Sequence, residues 1–327
     1  MVDTKRELGQ YYTSRNPFIH HAFCEWAKEA HIGLNGFLEP FAGAGDILRL
    51  LKDAGLATRA IGYDIAPACE WATQRDTLAD FPEGHHAVVT NPPYLARNSA
   101  SRRHLPYPQT RYADLYLHAL DTCLRHTPYV AAIIPESFVT SGALKDRLRD
   151  VVSLPYADMF SDTEHPVCLA MFGPNLAQAT TRIWHGERLI GVLDELLASA
   201  PKPSGSLAMR FNDPNGSVAL LGVDDQKSAT IRFDIGAAVD PSEVKHSSRA
   251  KTRIAISGLN LSLVDPVIIA ANSILSKRRK LTGDVGMTAF KGVRRDGCFR
   301  RRLDFSEARG ILEMAVAQAR DNMAKTQ

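Results

Sequence analysis

Short apolar runs alternate with segments of helix-like apolar spacing over residues 37–172. Runs of consecutive apolar residues predict strands that are buried on both faces of a sheet. The predicted strands are 37–41, 59–64, 87–90, 129–134, 156–160 and 167–172, and the predicted helices are 17–30, 47–56, 115–124 and 143–152. This alternation predicts an α/β fold with a doubly wound, mostly parallel sheet, and residues 165–173 are a candidate for an antiparallel strand that closes it.

The pattern changes in the second half of the chain. Residues 190–200 still predict a helix, but the Pro-Lys-Pro-Ser-Gly-Ser sequence at 201–206 predicts a loop or linker. Short β-like runs broken by turn sequences follow over residues 207–256. A terminal helix is predicted at 306–325, with Ser306 as its N-cap.

The composition is that of an ordinary globular chain. Of 327 residues, 45% are hydrophobic and 23% are charged, and the change of pattern near residue 175 predicts two domains, 1–175 and 176–327. No run approaches the ~18 apolar residues of a membrane span, and the polar N-terminus predicts no signal peptide. Five scattered cysteines without metal-ligand spacing predict a reducing, cytoplasmic environment and no metal site.

Positive charge is concentrated in one segment of the second half. Residues 245–302 contain 14 lysines and arginines but three aspartates, so this segment contributes +11 to a chain whose net charge is +3. A field of one sign at this density is typical of proteins that bind a polyanion such as nucleic acid. A solvated basic surface is the alternative interpretation.

The sequence Asn91-Pro92-Pro93-Tyr94 directly follows the predicted strand 87–90. An exocyclic amino group of a nucleobase is a weak nucleophile, because its lone pair is delocalised into the ring. Two fixed acceptors, the Asn91 side chain and the Pro92 carbonyl, can localise that lone pair, while the prolines remove competing N–H donors. Tyr94 offers a face on which a base can stack. The alternative is a Pro-Pro turn that simply ends a strand.

A glycine-rich turn lies at the end of the first predicted strand. It reads Glu39-Pro40-Phe41-Ala42-Gly43-Ala44-Gly45 and opens a predicted helix. Glycines permit close approach of a ligand, and a helix N-terminus offers unpaired N–H groups. Leu48 stands where a dinucleotide motif has glycine, so a ligand with a carboxylate and a ribose fits better than a pyrophosphate. A turn without a ligand is the alternative.

Two aspartates follow the later segments. Asp64 ends the second predicted strand, where a carboxylate suits both hydroxyls of a ribose; capping of the following helix, which has Pro67 near its start, is the alternative. Asp76 lies in a loop or short strand and can accept a hydrogen bond from an adenine amino group. Upstream, the loop with Tyr11 and Thr13 is aromatic and polar, and packing is its default interpretation.

The order of four motifs carries a family resemblance. Residues 9–13 (Gly-Gln-Tyr-Tyr-Thr), the glycine-rich turn, the acidic strand end and Asn-Pro-Pro-Tyr together resemble the gamma class of S-adenosylmethionine-dependent amino-methyltransferases of DNA, most closely the adenine-N6 enzymes. The resemblance covers about residues 8–172. Two departures are Ser14, where the family often has proline, and Glu39, where aspartate is commoner.

This resemblance implies a seven-stranded, Rossmann-like methyltransferase fold. It also implies methyl transfer from S-adenosyl-L-methionine to N6 of an adenine flipped out of double-stranded DNA, with cytosine N4 or an RNA base as the alternative acceptor. The residues implied for the cofactor are Tyr11, Thr13, Glu39, Phe41, Gly43, Gly45, Asp64 and Asp76, and those implied for catalysis are Asn91, Pro92, Pro93 and Tyr94. Members are usually monomers, and a cognate restriction endonuclease as partner is left open.

Basic residues near the catalytic motif and in the second half are the candidates for DNA contact. They are Arg97, Arg102 and Arg103 in the loop 95–112, and Lys277, Arg278, Arg279, Lys280, Lys291, Arg294, Arg295, Arg300, Arg301 and Arg302 in the second half. For the loop, a solvated and mobile segment without contacts is the alternative.

Overall fold

The computed structural model describes residues 16–154, 166–174 and 180–326. Tyr11, Thr13 and the predicted strand 156–160 lie outside the described residues. Contacts divide the chain into two compact units, Met1–Leu193 and Asp194–Gln327. This division falls after the boundary that the sequence predicts near residue 175, because two further strands join the sheet of the first unit.

A mostly parallel sheet forms the centre of the first unit. Its strands in the described residues are β1 (Phe37–Glu39), β2 (Ala60–Asp64), β3 (Ala72–Gln74), β4 (Ala87–Thr90), β5 (Tyr129–Pro135), β6 (Leu148–Leu154), β7 (Val167–Phe172), β8 (Arg182–His185) and β9 (Arg188–Val192). Their order is β3-β2-β1-β4-β5-β7-β6-β8-β9. Strands β1 to β5 are parallel to their neighbours among themselves, and β7 is antiparallel to both β5 and β6.

This topology confirms the predicted doubly wound fold. Strand β1 lies in the middle of the parallel strands. The chain adds β2 and β3 on one side of it and then β4 and β5 on the other. The predicted antiparallel strand is β7, but it lies between β5 and β6 instead of at an edge. The described sheet has nine strands where the resemblance implies seven, since the β8–β9 hairpin extends it beyond β6.

Short helices connect the strands of the first unit. They are α1 (His21–Glu29), α2 (Ile32–Asn35), α3 (Asp46–Asp53), α4 (Arg97–Arg102), α5 (Leu115–His126) and α6 (Phe138–Ser141), with 3₁₀ turns at Pro17–Ile19 and Lys145–Arg147. The helix α7 (Leu193–Ala198) begins at the boundary between the units. The helix predicted at 190–200 is observed from Leu193 onwards, because residues 190–192 belong to β9.

The prediction of a helix at 143–152 is wrong, because residues 148–152 belong to strand β6. This strand pairs with β7 on one side and with β8 on the other. Leu148, Val151 and Val152 are buried, and their spacing suits a helical face as well as a fully buried strand. Pairing with two neighbouring strands decides between the two structures.

Parallel pairing brings three strand ends to one place. Leu38 in β1 and Val88 in β4 are directly paired, and both are fully buried. Glu39 of β1 pairs with Gly62 of β2 in the same direction. The carboxyl ends of β1, β2 and β4 therefore meet at one edge of the sheet, which is where ligands bind in open α/β sheets.

The second unit contains an antiparallel sheet, a hairpin and two long helices among its described residues. The sheet consists of β10 (Met209–Phe211), β11 (Val218–Leu221), β12 (Arg232–Ile235) and β13 (Lys251–Ile256) in the order β10-β13-β11-β12, and the hairpin of β14 (Thr288–Val293) and β15 (Phe299–Arg302). The helices are α8 (Val264–Thr282) and α9 (Phe305–Thr326), with 3₁₀ turns at Gly236–Ala238, Pro241–Glu243 and Leu261–Leu263. A buried core that includes Phe233, Val267 and Leu312 joins the sheet to both helices.

The predicted terminal helix is confirmed, but it begins at Phe305. Ser306 therefore lies inside its first turn, and its assignment as the N-cap is wrong. In the part of the chain that the structure describes, no helix combines the length and the apolar character needed to cross a bilayer.

Candidate active site

A cavity of about 660 Å³ lies at the edge where β1, β2 and β4 end. Three of the segments singled out in the sequence reach it at these strand ends, and a fourth reaches it from the loop after β3. The predicted site residues on its wall are Glu39, Phe41, Gly43, Asp64, Asp76, Asn91 and Pro93. The fold thus brings the glycine-rich turn, both aspartates and the Asn-Pro-Pro-Tyr motif around one space.

Glu39 ends β1 and is almost completely buried, with 1% of its surface exposed. The Thr90 hydroxyl donates to Glu39 Oε1 at 2.6 Å, and the Phe41 N–H donates to the same oxygen at 3.3 Å. Glu39 Oε2 is buried without a hydrogen-bond partner among the described residues. Burial raises the pKa of this carboxyl to about 8. The unpaired oxygen therefore favours a ligand group that is cationic or donates a hydrogen bond.

Asp64 connects the glycine-rich turn to the end of β2. Its Oδ2 accepts from the Gly43 N–H at 2.8 Å, and its Oδ1 accepts from the Ala66 N–H at 2.8 Å. The second bond caps a turn and not the helix of the alternative interpretation, because residues 65–71 form no helix. Carboxylate oxygens have further lone pairs, and Asp64 also lines the cavity. The same side chain thus orders the turn and presents a carboxylate to the cavity.

The two glycines of the turn have different environments. Gly43, at φ +52°, lies on the cavity wall, and its N–H donates to Asp64 instead of being unpaired. Gly45, at φ +77°, precedes α3, where a Cβ would lie 2.9 Å from Cys69 Sγ and 3.1 Å from Trp71 Cε3. Gly45 lies outside the wall that the described residues form. Backbone conformation and close packing, rather than ligand contact, explain the glycine at this position.

Asp76 lies in the loop after β3. Its Oδ1 accepts from the N–H groups of Leu78 at 3.1 Å and Ala79 at 3.3 Å, and its side chain lines the cavity. The neighbouring Thr77 is buried, and its hydroxyl donates to the Pro40 carbonyl at 2.8 Å. This bond holds the Asp76 loop against the glycine-rich turn.

Asn91 follows β4 and reaches the cavity together with Pro93, whereas Pro92 is buried. The Tyr94 hydroxyl lies 2.7 Å from Asn91 Oδ1 and 2.7 Å from the Ile133 carbonyl oxygen. The Tyr94 ring packs against the core and lies outside the described cavity wall. Stacking of a base on this ring, as the sequence predicts, therefore requires the side chain to move. In the observed position its hydroxyl restrains the Asn91 side chain.

A further segment of the wall was not predicted. Residues 105–108 line the cavity and place Tyr107 there between two prolines. The Arg97 guanidinium lies 5.4 Å from the Tyr107 ring centroid and donates to the Tyr112 carbonyl at 2.7 Å and to the Thr110 carbonyl. Arg97 therefore orders this loop. The Pro-Tyr-Pro sequence is the signal that indicates a fixed aromatic side chain, since each proline restricts the backbone beside it.

Some predicted DNA-contact residues are exposed. They are Arg97, Arg102 and Arg103 in α4 and at its end, and Lys277, Lys280, Lys291 and Arg295 in the second unit. Arg300 is partly exposed, and its guanidinium lies 4.9 Å from the Phe290 ring centroid.

The other arginines of the basic segment that were predicted to contact DNA have internal partners or are buried. Salt bridges join Arg278 to Glu307, Arg279 to Asp224 and Asp284, Arg294 to Asp224 and Asp296, and Arg302 to Asp304. Arg301 is buried. The exposed positive charge is therefore smaller than the count over residues 245–302 indicates, because three of these acids lie outside that range.

No family model matches this chain, and no curated protein matches its sequence. Among solved structures, it is similar to the methyltransferase subunit of a type I restriction-modification system from Streptococcus thermophilus (15% identity over 58% of this chain and 53% of that chain, TM-score 0.39). It is also similar to the EcoKI M protein of a type I restriction enzyme, with 12% identity over 93% of this chain and 72% of that chain and a TM-score of 0.35. A third similar structure is DrdV in its complex with DNA, with 14% identity over 58% of this chain and 28% of that chain and a TM-score of 0.42. This chain thus spans about half of the first of these and less than a third of the last.

Proposed function

We propose that this protein transfers a methyl group from S-adenosyl-L-methionine to the N6 amino group of adenine in double-stranded DNA. The observation that carries the proposal is that Asn91 shares one cavity with the carboxyl groups of Glu39 and Asp64. A pure binding module has no use for a fixed amide acceptor beside buried acids. An amino-methyltransferase needs the amide acceptor for the target base and the acids for the cofactor.

The cavity residues fit this cofactor. The unpaired Glu39 Oε2 suits an ammonium group, Asp64 suits ribose hydroxyls, and Asp76 suits an adenine amino group. A volume of about 660 Å³ lies within the range of roughly 300–1,000 Å³ that is usual for small-molecule sites. When bound, S-adenosyl-L-methionine supplies an electrophilic methyl group on a sulfonium.

The protein's own contribution is positioning and electrostatics. The target adenine has to leave the base stack to enter the cavity. The Asn91 amide oxygen, on the cavity wall, then accepts one N–H group of the amine. The Pro92 carbonyl, which lies outside the described wall, is the proposed acceptor of the other, and together they localise the nitrogen lone pair. Tyr94 holds Asn91 in place through its hydroxyl, and Tyr107 adds an aromatic side chain to the cavity wall.

The test is methyl transfer to DNA that has been amplified in vitro and therefore carries no modified base. The purified protein is incubated with this DNA and isotopically labelled S-adenosyl-L-methionine, and the nucleosides are separated by mass after digestion. The expected product is N6-methyladenine, absent with an Asn91→Ala control. Labelled N4-methylcytosine, or label on RNA alone, would overturn the base assignment, and no label on any acceptor would overturn the activity.

A further inference from the structure

A second cavity of about 660 Å³ lies in the second unit, between the loop after β11 and the β14–β15 hairpin. Its lining residues are Asp225, Gln226, Lys227, Val293, Arg294, Arg295 and Arg300. Four of these side chains are basic and one is acidic. The cavity therefore has the charge of an anion site.

A buried carboxylate organises the wall of this cavity. Asp224 has no exposed surface and accepts from Arg279 at 2.9 and 2.8 Å and from Arg294 at 3.2 Å. It also accepts from the N–H groups of Thr230 at 2.8 Å and Ile231 at 3.2 Å. Burial acts to raise its pKa, but the Arg279 and backbone hydrogen bonds hold that pKa below its usual value, so the group is ionised. One carboxylate thus connects the loop, the hairpin and α8.

Two more bonds join the walls directly. The Arg295 N–H donates to the Gln226 carbonyl at 2.9 Å, and Arg300 Nε donates to the Asp224 carbonyl at 2.7 Å. The basic side chains therefore belong to segments that hydrogen bonds hold together before a ligand binds. Such preorganisation reduces the entropy lost on binding.

The cations of this cavity differ in how their charge is balanced. Arg294 is neutralised by salt bridges to Asp224 and Asp296. Arg300 donates to carbonyl oxygens, which do not cancel its charge. Lys227 and Arg295 are exposed, and neither forms a salt bridge in the part of the chain that the structure describes. Three side chains therefore retain positive charge against the one carboxylate of Asp225 on the same wall, so the cavity keeps a net positive charge for a ligand.

We propose that this cavity binds phosphate groups of duplex DNA through Lys227, Arg295 and Arg300, with Asp224 as a positioning residue. Guanidinium and ammonium donors that converge on one space match the oxygens of a phosphate. A free phosphate has the same chemistry as a backbone phosphate, and the choice of DNA rests on the proposed function. Contacts to the backbone position the duplex and carry no base specificity.

The experiment compares a Lys227→Ala/Arg295→Ala double variant of the full chain with the wild-type protein. Both side chains are exposed, so their removal leaves the fold intact, which thermal unfolding verifies. Fluorescence anisotropy measures duplex binding at several salt concentrations. We expect the double variant to bind about 10- to 100-fold more weakly at low salt, with a slope of log K against log salt smaller by about 2.

The matched control is Arg320→Ala, which removes an exposed arginine of α9 that does not line the cavity. It should retain wild-type affinity. Equal affinity and slope in the double variant, or an equal loss in the control, would overturn the proposal. Inorganic phosphate and a nucleoside monophosphate distinguish the two phosphate sources: weak binding that duplex displaces supports the proposal, whereas binding tighter than that of duplex overturns it. Preference for single-stranded RNA over duplex DNA also overturns it.

This outcome is separable from that of the proposed function. If the double variant binds DNA like the wild type while methyl transfer is observed, the phosphate site is wrong and the activity stands. If the double variant loses DNA binding but no acceptor is methylated by the wild type, the phosphate site stands and the proposed function fails.

Discussion

The hydroxyl of Tyr94 lies 2.7 Å from the amide oxygen of Asn91 and equally close to the carbonyl oxygen of Ile133. Ile133 belongs to β5, while Asn91 follows β4, so the tyrosine connects the acceptor residue to the neighbouring strand. The group proposed to accept an N–H of the target base is therefore restrained from outside the cavity. Such restraint matters because a small misplacement of a positioning group reduces turnover strongly.

Tyr94→Phe should lower kcat about fivefold, because it removes the hydroxyl that holds the Asn91 side chain, a loss of about 1 kcal/mol, while keeping the ring. The dissociation constants for cofactor and DNA should stay within about twofold, since neither ligand is proposed to contact the hydroxyl. Tyr129→Phe is the matched control, because its hydroxyl faces Glu29, distant from the cavity wall. Single-turnover methyl transfer measures the effect, and wild-type kcat in Tyr94→Phe would contradict it.

The raised pKa of Glu39 predicts that the affinity for the cofactor depends on pH. Burial raises its pKa to about 8, so the carboxyl is protonated at pH 7 in the absence of ligand. An ammonium group beside Oε2 favours the ionised form. Affinity should therefore rise as the pH approaches about 8 and level off above it.

Glu39→Gln is the control for this linkage. It should lose the part of the pH dependence that belongs to Glu39, while any titration of the ligand's own amine stays the same in both proteins. Calorimetry in buffers of different ionisation enthalpy counts the released protons. An equal count in the two proteins would show that Glu39 does not change its protonation state.

The same pKa shift affects stability in a defined direction. The ordinary value is 4.5 and the folded value is about 8, so between these values the folded protein binds more protons than the unfolded chain. The free energy of unfolding therefore falls as the pH rises through this range. Glu39→Gln should lack this slope in urea unfolding at pH 5.5 and pH 8; identical slopes would disprove the burial effect.

Asp64→Asn should weaken cofactor binding about 10- to 100-fold, because it removes the charge beside the proposed ribose position. The amide oxygen can accept from only one of the Gly43 and Ala66 N–H groups, so the variant also loses one of the two bonds that order the turn. Asp53→Asn, at the exposed end of α3, is the control and should bind like the wild type. Calorimetry measures both, and equal affinity in the Asp64 variant would remove this residue from the site.

Asp224→Asn should destabilise the second unit by about 1–3 kcal/mol, because it removes one of the carboxylates that pair with Arg279 and Arg294 while Asp284 and Asp296 remain. Asp225→Asn changes the neighbouring exposed carboxylate and should have little effect. Hydrogen exchange reports on the second unit separately from the first. Equal protection in the two variants would mean that the Asp224 bridges contribute little.

The first unit was predictable where hydrophobic periodicity and motif position agree. The strand ends at Asp64 and Thr90 follow from the apolar runs, whereas the first strand ends at Glu39, two residues before its predicted end. Parallel pairing brings the three strand ends together. Residues 148–154 were not predictable, because the same apolar spacing suits a helix and a strand with two partners. Tyr107 was not predictable from the motifs, since the loop that carries it folds back onto the cavity.

The basic segment shows why charge along the chain differs from charge in space. The window 245–302 suggests a uniformly free positive surface. In the fold, Asp224 and Glu307 come from outside this window and neutralise Arg279 and Arg278. Distance along the sequence does not predict these ion pairs, because tertiary packing creates them.

The most direct test of the central claim is the Asn91→Ala variant, studied by single-turnover methyl transfer and by calorimetric cofactor binding on the same preparation. If Asn91 activates the amine, the transfer rate falls at least 100-fold, in the range typical of removing a preorganised hydrogen-bonding group. Cofactor affinity should stay within about threefold, because Asn91 is assigned to the base. A variant that retains more than about a tenth of the wild-type rate, or that loses cofactor binding in proportion to activity, would contradict the account.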